Sequence, residues 1–401
     1  MDRFELIEKL RQKSNEKIVF LVLDGLGGLP KGGKTELETA STPNMDKLAM
    51  EGETGLMIPV SPGITPGSGP GHLALFGYDP LQYVIGRGVL SALGIRFPIK
   101  EGDLAARINF ATIDKDGNIV DRRAGRIPDE INKKMCEKIR QIKIPGIEFF
   151  IETVKEHRAA LILRGGDFSD KLSETDPQKI GVPPLPVKPL INDEKAKKTA
   201  EILNEFVEKV KEVLKDEHPA NMILLRGFAL HTRIPTFEEV YGLKACAIAG
   251  YPMYRGLASL VGMEVIDVES GVESEFRKLE ELWGKYDFYF VHIKYTDSSG
   301  EDGDFDRKVS VIEEVDRNLD LILKLKPDVF VITADHSTPA NYKAHSWHPV
   351  PVILKSKWSR SANIKKFGET ELLHGTLGIM KSVDLMTLIM AHSGRLAKFG
   401  A

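Results

Sequence analysis

The chain has 401 residues, enough for one large α/β domain or for two domains. Lys and Arg number 55 against 58 Asp and Glu, a formal charge of −3, so no basic excess points to nucleic acid. Only two cysteines occur, Cys136 and Cys246, far apart and in no disulfide or zinc pattern, which fits a reducing, cytoplasmic setting.

The opening stretch MDRFELIEKLRQKSNEK is charged throughout, with Leu6, Ile7 and Leu10 at helical spacing. It has no apolar core of a signal peptide, and no window approaches membrane-spanning length. The wealth of Lys, Glu and Arg leans toward a thermophile. KIVFLVLD, residues 17–24, is the first strand. Its apolar run is continuous, as in a strand buried on both faces of a parallel sheet. A glycine-rich turn follows, DGLGGLPKGG. STPNMDKLAMEG then predicts a helix capped by Ser41 or Thr42, with Pro43 in its first turn and Gly52 at its end.

From about Asp103 the texture changes. LAARINFATIDKDGNIVDRRAGRI predicts a strand, a turn over 115–118 and a return strand. RAALILRG is a further strand, and GVPPLPVKPL is a proline-rich connector. DEKAKKTAEILNEFVEKVKEVLKDE is a helix with Leu203, Val207, Val210 and Leu214 on one face, and NMILLRG is one more strand. After about Pro235 an α/β alternation returns, through LKACAIAG, YRGLASLVGM, EVIDV, DFYFVHIKYTD, DRKVSVIEEVDRNLDLILKL and DVFVITADH. The expectation is an α/β fold with a mostly parallel sheet flanked by helices. That core is split in sequence over 1–100 and 236–401, with a smaller α+β domain inserted at 101–235.

Acids and histidines fall where apolar strands end. IVFLVLD ends in Asp24, FYFVHIKYTD in Asp297, and VFVITADH in Asp335 and His336. KAHSWHPVPVIL sets His345 and His348 just ahead of another strand. In open parallel sheets the carboxyl edge is where ligands bind. A single Asp there serves equally as a cap for the next helix. Several acids on one rim, however, repel one another unless a cation neutralises them. Their oxygen and nitrogen donors suit Mn²⁺, Zn²⁺ or Co²⁺. Paired metals about 4 Å apart are a common device of phosphoryl chemistry.

GITPGSGPGHLALFGYDP, residues 63–80, presents Ser68 on a stiff loop ahead of an apolar helical stretch. A helix start there aims backbone N–H groups at an anion held by the serine. A metal would activate the hydroxyl, and the glycines let backbone approach a phosphate. Taken alone, the same stretch reads as a surface turn with Ser68 as a helix cap. GSGPGH lacks the Lys of a P-loop, DGLGGLP lacks dinucleotide-fingerprint spacing, and TPGSGPG is not a G-x-S-x-G elbow.

Together VLDGLGG, GSGPGHLALFGYDP, HIKYTD, TADHSTP and HSWHPVPVIL resemble the alkaline phosphatase superfamily. More narrowly, with NFATIDKDGNIVDRRAGRI, HRAALILRG and YPMYRGLASLVGM, the chain is similar over nearly its whole length to cofactor-independent phosphoglycerate mutases of the archaeal type. The resemblance implies a two-metal phosphatase-like core with an inserted lid domain. It implies a serine that takes the phosphoryl group and returns it to the other glycerate oxygen, with no bisphosphoglycerate cofactor. By motif, Asp24, Ser68, Asp335 and His336 would surround one metal, and Asp297 and His345 the other. His345 is preferred to His348 because the family's ligand precedes S-x-x-P-V-P. Where the family has a second histidine, four residues after Asp297, this chain has Glu301, which as a ligand favours harder ions and as a non-ligand leaves this metal weakly bound. Mn²⁺ is the first expectation, with Mg²⁺, Co²⁺ or Zn²⁺ open.

Phosphate and carboxylate both want guanidinium partners. The substrate-binding candidates are Arg122, Arg123, Arg126, His157, Arg158, Arg226 and Arg255, any one of which alone reads as a solvated basic face. The expected function is interconversion of 3-phosphoglycerate and 2-phosphoglycerate in glycolysis and gluconeogenesis. A metal-dependent phosphomonoesterase, another phosphomutase, or a non-catalytic phosphate-binding protein are the alternatives. The only expected partner is the small-molecule substrate. No nucleic acid or membrane is expected, and a homo-oligomer is compatible with the sequence.

Overall fold

The computed structural model describes residues 1–400. Its strands are β1 (Ile18–Leu23), β2 (Glu53–Ile58), β3 (Leu104–Ile113), β4 (Ile119–Asp121), β5 (Glu148–Lys155), β6 (Arg158–Arg164), β7 (Met222–Leu230), β8 (Ala245–Ala249), β9 (Glu264–Ile266), β10 (Phe288–Ile293), β11 (Val329–Thr333), β12 (Val350–Ser356) and β13 (Gly378–Lys381). Two compact units divide the chain: Met1–Val84 with Ile234–Ala401, and Ile85–Arg233.

The first unit is built on an eight-stranded sheet in the order β13-β2-β12-β11-β1-β10-β8-β9. Every neighbouring pair is parallel except those made by β12, which runs against β11 and β2. β1, β8, β10 and β11 are buried at every residue, which is why their sequences are apolar but for His292 in β10 and Thr333 at the end of β11. The register aligns their carboxyl ends: Leu23 pairs with Ile293, and Val22 with Thr333. The residues that follow β1, β10 and β11 therefore emerge at one edge. The reversed strand β12 starts at this same edge, with Val352 opposite Thr333, so the segment leading into it also passes there.

The second unit has an antiparallel sheet ordered β4-β3-β6-β5, with β7 also paired to β3. Leu104, Ala106, Ile108 and Phe110 of β3 belong to a core shared with Met135 and Ile139 of the helix Asp129–Ile139 and with Leu203, Phe206 and Val210 of the helix Glu194–Leu214. The alternating residue Ala105 lies on the other face, where Gly88 of the helix Arg87–Gly94 packs against its backbone. That helix thus belongs with the second sheet. The change of texture at Asp103 marks the approach to β3, whereas the compact unit begins at Ile85.

Candidate active site

Asp24 directly follows β1, and Asp335 and His336 follow β11 one residue past its end. All three are fully buried, and their ligand atoms lie within 4.8 Å of one another. His336 Nε2 is 3.2 Å from Asp24 Oδ1 and 3.2 Å from Asp335 Oδ2. Asp24 Oδ1 and Asp335 Oδ2 are buried without a hydrogen-bond partner. Two such carboxylate oxygens are costly unless a cation faces them, so this donor set fits a divalent metal. Without an ion, protonated His336 is the cation that faces them, and a metal would take that proton's place. Burial works against the His336 imidazolium, but Asp335 and Asp24 outweigh it and push the group up to about 9.

A second group consists of Asp297, His336 and His345. Asp297 stands in the first turn of the helix Tyr295–Asp302, just beyond β10, rather than at the strand end itself. His345 Nε2 is 3.5 Å from Asp297 Oδ1. His345 Nδ1 lies 2.9 Å from the Pro66 carbonyl, which can only accept, so the proton sits on Nδ1 and the Nε2 lone pair is free for a metal. His336 and His345 stack with centroids 3.6 Å apart. His336 therefore belongs to both groups. Glu301 Oε1 is 3.8 Å from His345 Nε2, on a half-exposed side chain outside the tight cluster. His348 contacts Ser346 and Trp347 and joins neither group.

Ser68 begins the helix Ser68–Leu75, capped by Gly67. Its Oγ is 3.2 Å from His336 Nε2. Close approach needs Gly71: a Cβ there would stand 3.1 Å from the Cβ of Asp335 and collide with its carbonyl oxygen.

Sequence reasoning missed three side chains. Lys294 Nζ donates to Asp24 Oδ2 at 3.0 Å and to Asp297 Oδ2, linking the two groups. Burial opposes its charge, and Asp24 and Asp297 outweigh that, raising it above the ordinary lysine range. Tyr254 donates its phenol proton to Asp24 Oδ2 and stacks on His292 at 3.7 Å. Thr338 joins His336 to Asp297. A Lys directly after the fully buried strand β10, in HIKYTD, was the available signal for the first. The others become visible only in three dimensions.

Of the basic candidates, Arg255 stands next to Tyr254 in the first unit. It pairs with Asp267 at 2.7 Å, and its Nε is buried without a partner. The remaining six lie in the second unit. Arg122 grips Asp176 with two bonds of 2.8 Å, and Arg226 reaches Glu174 and Asp176. Arg123 and Arg126 are exposed. Burial and then the charges of Arg158, Arg123 and Arg126 push His157 down to about 4. Arg107, which the sequence did not nominate, is lowered to about 10 by burial and by Arg158, Arg226 and Arg87. This unit carries a concentrated basic cluster.

The profile of the 2,3-bisphosphoglycerate-independent phosphoglycerate mutase family matches residues 49–221. That span contains Ser68 and stops short of Asp297, Asp335 and His345. Full-length relatives cover the rest. A Thermus thermophilus protein bearing the same family designation is 52% identical over 408 residues, covering all of both chains. The chain belongs to the 2,3-bisphosphoglycerate-independent phosphoglycerate mutase family. A Thermotoga maritima member is likewise 52% identical over 405 residues and the full length of both chains. Among solved structures, a cofactor-independent phosphoglycerate mutase from Thermoplasma acidophilum matches with a TM-score of 0.75 at 33% identity, over 94% of this chain and 100% of its own. A protein from Pyrococcus horikoshii matches with a TM-score of 0.83 at 32% identity, over 98% of this chain and 100% of its own. The mutase family likeness thus extends over both units. No helix among the described residues is long and apolar enough to cross a membrane.

Proposed function

We propose that the protein interconverts 3-phosphoglycerate and 2-phosphoglycerate through a phosphoryl group carried on Ser68, without bisphosphoglycerate. The observation that carries this reading is the placement of Ser68 Oγ beside His336 Nε2, in a buried group whose Asp24 and Asp335 oxygens lack partners. Two divalent cations, with Mn²⁺ the first expectation, would be held by Asp24, Asp335, His336 and Ser68 and by Asp297, His345 and Glu301, and when bound would supply Lewis-acid activation and charge neutralisation.

Ser68 Oγ attacks phosphorus. The Oγ–P bond forms as the bond from phosphorus to the glycerate oxygen breaks, and that oxygen leaves with the electron pair and takes up the proton that Ser68 Oγ gives up. In the return step the neighbouring glycerate hydroxyl attacks the phosphoserine and Ser68 regains its proton. The helix Ser68–Leu75 turns its N-terminal N–H groups toward the transferring group. Lys294 keeps its proton on Nζ beside Asp24 and adds positive charge. Arg255, with its unpartnered Nε, and the basic cluster of the second unit are the anion-binding elements of this reading. In this reading the reaction belongs to glycolysis and gluconeogenesis and runs in the cytoplasm.

The test is a product assay. Purified protein with Mn²⁺ and 3-phosphoglycerate alone should make 2-phosphoglycerate. Free phosphate as the sole product would indicate a phosphomonoesterase, and no turnover with any divalent metal would indicate a phosphate-binding protein.

A further inference from the structure

Thr338 is fully buried between the two candidate metal groups. Its Oγ1 donates to Asp297 Oδ1 at 2.6 Å and lies 2.9 Å from His336 Nδ1. A threonine hydroxyl has one proton. An ionised carboxylate only accepts, so that proton goes to Asp297. The Oγ1 lone pairs then face His336, which must place a proton on Nδ1. Nε2, the nitrogen aimed at Asp24, Asp335 and Ser68, is thereby the one whose proton a metal would displace and whose lone pair the metal would take. One hydroxyl fixes the tautomer of a ligand in one group and the rotamer of a carboxylate in the other.

The surroundings hold Thr338 for this task. Its backbone N–H donates to the carbonyls of Gly25 and Gly27, both at 3.1 Å. Its carbonyl accepts from the buried Lys308 Nζ at 2.8 Å, and the same ammonium holds Gly25 O at 2.9 Å and Gly27 O at 3.1 Å. Gly25 has φ +63°, and a Cβ there would stand 2.9 Å from Asp297 Oδ1 and 2.9 Å from Thr338 Cβ. On the other side a Cβ at Gly300 would meet the Thr338 methyl at 2.9 Å. Gly25 clears the space through which the hydroxyl bridges, and Gly300 the space of the Thr338 carbonyl and methyl.

We propose that Thr338 is a positioning residue that couples the two metal sites, so that its hydroxyl sets the affinity of both. This rests on the two-metal reading above. The experiment is calorimetric titration of Mn²⁺ into the metal-stripped wild type, Thr338→Val and Thr338→Ser, with thermal melts of each stripped protein. The wild type should take up two ions. Thr338→Val, nearly isosteric, should weaken both by roughly ten- to hundred-fold, with the stripped protein still melting cooperatively, and Thr338→Ser should bind close to wild type. Wild-type isotherms for Thr338→Val, loss at one ion only, or equal loss in Thr338→Ser would overturn the coupling. Should Thr338→Val not fold, Thr338→Ala against Thr338→Ser makes the same comparison. A wild type that binds no ion overturns the two-metal reading itself, a result distinct from the other three.

Discussion

Ser68 Oγ lies 3.2 Å from His336 Nε2, and that nitrogen lies 3.2 Å from one oxygen of Asp24 and 3.2 Å from one of Asp335. The hydroxyl, the imidazole and the two carboxylates come from three separate chain segments. They meet because β1 and β11 end in register and the helix Ser68–Leu75 starts against Asp335. Removing only the hydroxyl isolates its chemistry. Ser68→Ala should lower turnover by roughly 10⁴-fold or more while leaving the thermal melt unchanged. Mutase activity near wild type in that variant would exclude Ser68 as the phosphoryl acceptor.

Lys294 joins Asp24 and Asp297 from the loop after β10. Lys294→Met removes a charge but keeps most of the apolar stem. It should lower kcat by roughly 10²- to 10³-fold. Lys294→Arg should not restore it, because a planar fork cannot replace a compact ammonium between two carboxylates. Steady-state kinetics at saturating metal check this. An Arg variant with full activity would show that charge alone suffices.

How far the sequence revealed this site follows from geometry. Asp24, Asp335 and His336 were legible because each ends a strand whose apolar run makes any polar residue stand out. His345 and His348 stood out together ahead of β12, but only the family motif chose His345, since its place depends on β12 running antiparallel back to the edge. Tyr254 and Thr338 were not legible. Each acts by touching a residue from a distant segment, and neither residue type is unusual in its local sequence. The helix Arg87–Gly94 was passed over, and its packing of Gly88 on Ala105 draws the second unit's start back to Ile85.

Glu301 sets a carboxylate oxygen 3.8 Å from His345 Nε2 at the edge of the second group, where the sequence resemblance leads one to expect a histidine. Its half-exposed side chain is free to swing. Glu301→Ala should weaken one of the two ions, and Glu301→His should shift preference from Mn²⁺ toward Zn²⁺ or Co²⁺. Activity and binding titrated against each metal in the three proteins give the answer. Identical profiles would place Glu301 outside the coordination sphere.

Glu275 carries a pH dependence remote from the chemistry. Burial pushes its carboxyl from 4.5 up to about 8, while the Gly250 N–H, 2.9 Å from Oε1, only partly offsets this. The unfolded chain ionises near the ordinary value, so the folded state binds the proton more tightly. Stability from this group is full below that value, falls as pH rises to about 8, and is flat above. Glu275→Gln, neutral at every pH, should be stabilised relative to wild type at pH 9 by on the order of a few kcal/mol and match it near pH 4. Denaturant melts of metal-stripped proteins across that range test this. A constant difference between the two proteins would contradict it.

The central claim is that the phosphoryl group passes through the enzyme and returns to the same glycerate. A crossover experiment reads this directly. One batch of 3-phosphoglycerate carries ¹⁸O in its phosphoryl group, another carries ¹³C in its glycerate, and the two are mixed with protein and Mn²⁺. Mass spectrometry of the 2-phosphoglycerate formed early in the reaction should show each label alone, because every glycerate keeps its own phosphoryl group. Product molecules carrying both labels would show transfer between substrates, as in a bisphosphoglycerate-dependent exchange, and would contradict the account.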